Sequence, residues 1–200
     1  MLRIISYILF ILFLFTNQGY TVESFEDDAR QKRLGLEQKE KNSIEVTHQH
    51  FFRDIELNNI EVIKRSNLIS NINFRNIKGT TPLIHAVLNN KIEIVDFFFN
   101  NTDVNVNFED ALGNTALITA SKKGNLELLK YLIDKGADLN SQNKNGYTSL
   151  MEAVENNHFY IVKELVLKGA DRDKTDYVGR TVRDISEERT RDKRILKLIN

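Results

Sequence analysis

His48 and His50 stand two positions apart in a chain that has no cysteine. Imidazole chemistry is therefore the first to consider. A neutral imidazole pair can begin a metal site, but a zinc centre needs further protein ligands. No third ligand is evident nearby, so the pair is read as solvated and no metal is expected. Without cysteine there is no thiol nucleophile and no disulfide framework. No serine lies in a G-x-S-x-G elbow, and the glycines do not cluster into a phosphate-binding G-x-G-x-x-G loop. The acid pairs Asp27-Asp28 and Glu187-Glu188 are adjacent, so on a helix their side chains diverge. They read as surface charge rather than as a general acid and base. No catalytic residue and no cofactor emerge, and the chain is expected not to be an enzyme.

The 28 basic and 28 acidic residues cancel. A nucleic-acid binder should carry a basic excess, so no nucleic-acid partner is expected, although a local patch stays open. Hydrophobic residues make up 41% of the chain, enough for a core.

Arg3 precedes an apolar run from Ile4 to Phe15, followed by the polar Thr16-Asn17-Gln18 and the small Gly19. The run suits a signal-peptide core and is short of the roughly 20 residues that span a bilayer. Residues 1–19 are read as an export signal cut near Gly19, delivering the chain to a periplasm or outside the cell. The rival reading is an uncleaved anchor, which would tether a structural or scaffolding protein to a membrane. Residues 20–46 alternate acid and base, with apolar residues sparse and without clean helical spacing. They read as a charged linker with at most transient helix.

The elements that would have to position a site repeat. Gly79-Thr80-Thr81-Pro82-Leu83-Ile84-His85-Ala86 returns as Gly113-Asn114-Thr115-Ala116-Leu117-Ile118-Thr119-Ala120. It returns again as Gly146-Tyr147-Thr148-Ser149-Leu150-Met151-Glu152-Ala153, and in decayed form from Gly179. The glycines are spaced by 34, 33 and 33 positions (113−79, 146−113, 179−146). A second motif follows each first one: Ile92-Glu93-Ile94-Val95, Leu126-Glu127-Leu128-Leu129 and Phe159-Tyr160-Ile161-Val162. Each opens a helix with paired inward residues, namely Phe98 and Phe99, Leu132 and Ile133, and Leu165 and Val166. Phe97 is then the one phenylalanine of its run free for exposure.

These motifs and their period of about 33 resemble the ankyrin-repeat family, over roughly Thr47 to Asn200. The resemblance implies an all-α solenoid of paired antiparallel helices with short turns. It implies an N-terminal cap at 47–77, repeats at 78–111, 112–144 and 145–177, and a C-terminal cap at 178–200. Thr81, Thr115 and Thr148 should cap the first helices, and Pro82 should sit where its missing N–H costs nothing. Leu83, Leu117, Leu150, Ala86, Ala120 and Ala153 should pack between units. Ile84, Ile118 and Met151 replace the family's histidine after Thr-Pro-Leu, trading a polar tie for apolar packing. His158 falls before a second helix, where the family often has histidine, so its reading is structural. His85 lies on the first helix of its unit, where an exposed position is open to it. Arg183, Asp192 and Arg194 replace apolar residues in the last unit, as a terminal repeat with a polar outer face requires.

The family binds proteins through its concave face of loop tips and first helices, so the resemblance implies a protein partner and no small-molecule substrate. Aligned units place Lys78, Leu112, Lys122, Lys123, Lys144, Tyr147, Tyr177 and Arg180 on that face. Tyrosine and arginine are types enriched at binding hot spots, and the lysines would favour an acidic partner. A membrane is expected as a partner only if the N-terminal segment is retained.

Overall fold

The computed structural model describes residues 22–189 and 192–199. Residues 1–19, read as an export signal or anchor, lie outside them. The chain divides into two compact units, 1–47 and 48–200.

Helix α1 spans Val22–Glu56. Up to Thr47 it belongs to the first unit. From Val22 on, the segment read as a linker is thus regular helix. Its physical basis is propensity, since the run is rich in Glu, Gln, Lys and Arg and contains no proline. Local bonds add to it, such as Gln38 Nε2 donating to Asn42 Oδ1 at 3.0 Å. Ahead of Thr47, the apolar side chains described there, Leu34, Leu36, Ile44 and Val46, are all exposed. The sparse apolar spacing therefore told of exposure and not of absent helix.

The second unit opens with the last turns of α1, where Phe51, Phe52 and Ile55 are buried as the first helix of the N-terminal cap. Helix α2 (Ile60–Lys64) and a 3-10 turn (Asn67–Asn71) complete the cap. Four helix pairs follow: α3 (Pro82–Leu88) with α4 (Ile92–Asn101), and α5 (Ala116–Lys123) with α6 (Leu126–Asp134). Then come α7 (Ser149–Glu155) with α8 (Phe159–Leu167), and α9 (Val182–Arg189) with α10 (Lys193–Ile199). The first helices α3, α5, α7 and α9 pack in series, and each packs on its own second helix. The described residues contain no strand, only an isolated bridge between Thr175 and Thr181.

The expected caps form. Thr81, Thr115 and Thr148 accept from the N–H groups of Ile84, Ile118 and Met151 at 3.1, 3.3 and 3.2 Å. The decayed unit does the same with a reciprocal pair: Asp184 N–H donates to Thr181 Oγ1, and Thr181 N–H donates to Asp184 Oδ2 at 2.7 Å. Leu83, Leu117 and Leu150 are buried, with Ala86, Ala120 and Ala153 fully so, which lets neighbouring helices approach closely. Arg183 and Arg194 are exposed while Ile195 and Ile199 are buried, giving the last unit its polar outer side.

One core assignment is corrected. Phe97 is only 8% exposed, whereas Phe99 is half-buried against Tyr131. Phe99 sits as its counterparts Ile133 and Val166 do, which are half-buried too, while Phe97 packs against Phe98 with ring centroids 6.2 Å apart.

Asparagines also tie the units in the loops just ahead of the tips. Asn73, Asn107 and Asn140 accept through Oδ1 from the N–H groups of Asn105, Asp138 and Asp171, at 2.7, 2.9 and 2.8 Å.

Candidate protein-binding face

Each unit is joined to the next by a tip built on one Asx residue. Asn76, Asp110, Asn143 and Asp176 each accept, through Oδ1, from the N–H groups two and four residues on, at 2.8–3.0 Å. The oxygen replaces the partners a turn would otherwise leave unmet. Adjacent tips are then stitched by backbone bonds, Ala111 N to Gly79 O at 2.8 Å, Lys144 N to Leu112 O at 2.9 Å and Tyr177 N to Asn145 O at 3.2 Å. Gly146 shows why a glycine is needed there. Its φ is +78°, and a Cβ would lie 2.6 Å from Tyr177 N.

This frame holds two outward residues per tip: Ile77 and Lys78, Ala111 and Leu112, Lys144 and Asn145, and Tyr177 and Val178. All eight are exposed, with Leu112 at 66% and Tyr177 at 69%. Lys122 and Lys123 are exposed at the end of α5.

Five of the eight expected residues meet. Lys122, Lys144, Tyr147, Tyr177 and Arg180 line one groove of about 480 Å³ between the last two tips. Lys78, Leu112 and Lys123 lie outside it. Tyr147 is half-buried rather than free. Its hydroxyl accepts from Arg180 Nη2 at 2.8 Å and lies 3.4 Å from Glu155 Oε2. Burial and Glu155 push its phenol up, with Arg180 pulling it down.

The groove also holds three carboxylates: Glu155, which aligned units place on the concave face with Asn156, and Glu152 and Asp176, which they do not. Arg180 Nη2 is 2.8 Å from Asp176 Oδ2, and Nη1 is 3.2 Å from Glu188 Oε2. Burial acts to raise the Asp176 carboxyl, but hydrogen bonds from Arg180 and Val178 prevail and hold it low. Lys122 Nζ lies 3.6 Å from Glu152 Oε1. The groove is therefore mixed in charge and not basic, and the lysines alone give no ground for an acidic partner. Glu152 occupies the position of His85 and Thr119 in earlier units, and His85 likewise meets a neighbouring first helix, at Phe52 and Glu56.

The histidines serve the frame. His85 is half-buried, edge-on to Phe52, with Nε2 3.0 Å from Glu56 Oε1. His48 stacks on Phe74 at 4.3 Å, while His50 is exposed. Among the described residues no group of three His, Cys, Asp or Glu is placed to hold a metal ion. A larger groove of about 970 Å³ lies on the second-helix side, over Ile60, Ile69, Ile92 and Phe97. There Tyr131 donates to Asp96 at 2.6 Å, and burial together with that carboxylate pushes its phenol up to about 12.

The family description "Ankyrin repeats (3 copies)" matches residues 51–143 and again 100–176, together more than half of the chain. No curated protein matches it.

Proposed function

The chain belongs to the ankyrin-repeat family, a family of protein–protein interaction modules, and from that premise we propose that it binds its protein partner through the concave face of tips and first helices. The observation that carries this is the contrast between frame and display. Four Asx-built tips share one hydrogen-bond pattern, yet the side chains they expose differ at every tip and include Ile77, Leu112, Tyr177 and Val178. Large exposed apolar residues on a rigid support are what a recognition surface needs. The face acts by binding, and no reaction is assigned to it. Affinity capture from the native cell, followed by cross-link mapping, tests the reading. Cross-links at residues 77–78, 111–112, 144–145 and 177–178 are expected, whereas cross-links confined to α4, α6 and α8 would overturn it.

The proposed setting is an exported one. Support comes from Arg3 and the apolar run Ile4 to Phe15. Mass analysis of the native N-terminus should find a chain beginning near Tyr20. A full-length chain that sediments with membranes would replace this with the tethered scaffold.

A further inference from the structure

We propose that the groove between the last two tips receives a lysine or arginine side chain of the partner, paired with Glu152 and Glu155. This rests on the concave face being the binding face and adds the chemistry of what enters it.

The charges already in the groove differ in how well they are met. Arg180 is spent: Nε and Nη2 bond Asp176, Nη1 bonds Glu188, and Nη2 also donates to Tyr147. Lys144 is exposed at the rim. Glu152 is the opposite case. Its side chain is 9% exposed, and its ionic partner, Lys122, sits 3.6 Å away with a side chain 61% exposed. The Asn156 amide lies 3.4 Å from Oε2. Both distances exceed those of a charge-assisted hydrogen bond. Burial accordingly pushes the Glu152 carboxyl above its ordinary value, with Lys122 pulling it back and Glu155 adding to the rise. Glu155 is one turn along the same helix face, and its own contacts are long as well, 3.4 Å to Tyr147 Oη and 3.5 Å to Arg189 Nε.

Two under-met carboxylates thus share an open groove of about 480 Å³ walled by Tyr147 and Tyr177. A guanidinium would match this: it is planar, can bridge carboxylates and stacks on aromatic faces. Lys122 would have to yield, and an exposed lysine gives up a long pair at little cost. The groove's charges balance, Lys122, Lys144 and Arg180 against Glu152, Glu155 and Asp176, so nothing repels a cation at range.

The test is a titration of the isotope-labelled full chain with acetylated, amidated Gly-Arg-Gly-Arg-Gly and with its glutamate counterpart. The arginine peptide should shift the amide resonances of Asn145, Tyr147, Asn156 and Val178, and the glutamate peptide should not. Glu152→Gln should weaken the arginine peptide about fivefold or more. Lys122→Ala should strengthen it about two- to fivefold, because it removes the internal competitor. That sign separates the proposal from a structural role for Lys122 and from an acidic ligand, both of which predict weakening. Should Glu152→Gln disturb the fold by circular dichroism, Lys122→Ala decides alone. A preference for the glutamate peptide, or silence of both at these amides, overturns the cationic pocket and leaves the concave-face reading standing. That reading fails only through cross-links of a captured partner to the second helices.

Discussion

Gly124 and His158 fit each other across a repeat boundary. Gly124 caps α5 in the left-handed region at φ +74°, and a Cβ placed on it would lie 2.7 Å from two atoms of the His158 ring. The imidazole Nε2 stands 3.0 Å from the Lys122 carbonyl, which can only accept, so Nε2 carries the proton. The glycine is needed twice, for its backbone and for the space that the ring fills.

Gly124→Ala should therefore cost roughly 1–3 kcal/mol, from left-handed strain plus displacement of the ring. Urea unfolding of the full chain checks this. A loss no larger than that of an exposed helix substitution would show that the ring moves aside freely.

Leu117→Ala and Leu112→Ala should part company. Leu117 is fully buried between units and should lose about 2–5 kcal/mol of stability. Leu112 is exposed at a tip and should unfold at an unchanged urea midpoint while weakening partner capture.

Stability should fall as the pH drops below about 6.5. Burial lowers the His85 imidazole, with Glu56 opposing, and burial also lowers His48. A histidine depressed in the fold binds fewer protons than in the unfolded chain, so acid favours unfolding. The contribution is complete above the ordinary histidine value and is lost below it. Denaturant midpoints at pH 7.5 and 5.5 measure this, and His85→Leu should narrow the gap between them.

Tyr177→Ala should weaken the partner by about 1–2 kcal/mol at constant stability, because the ring is largely exposed and the residue joins the frame through its backbone N–H, which alanine keeps. Tyr147→Ala should lower both binding and stability, since it also removes the hydroxyl that accepts from Arg180. Calorimetry beside thermal melts separates the two. Equal melts for both variants would mean that the Tyr147 hydroxyl holds nothing together.

The repeat, its caps and its interior were legible because packing demands the same residue at the same place in every unit. Thr81, Thr115 and Thr148 are one solution used three times. The site was only half legible. Lysines and tyrosines advertise exposure by type, but Glu152 is buried by a neighbour that sequence does not place beside it. Asn90 and Asn157 also escaped notice. They hold φ +55° and +58° where Gly124 stands in the middle unit, a conformation asparagine tolerates without announcing it. The helix before Thr47 is not legible because its acids and bases alternate without a helical apolar stripe: propensity sustains it, and its described apolar side chains are exposed.

The asparagine ladder has a consequence for how such a chain can change length. Asn73, Asn107 and Asn140 each reach only as far as the following unit. A second copy of 112–144 spliced in after Lys144 would meet at both ends the handshake it already makes, with no new joint to invent. Replication slippage can thus lengthen the array in whole steps, each adding another tip with residues free to diverge. Asp173 stands exposed where Asn140 stands one unit earlier. Growth by duplication is accommodated within the run.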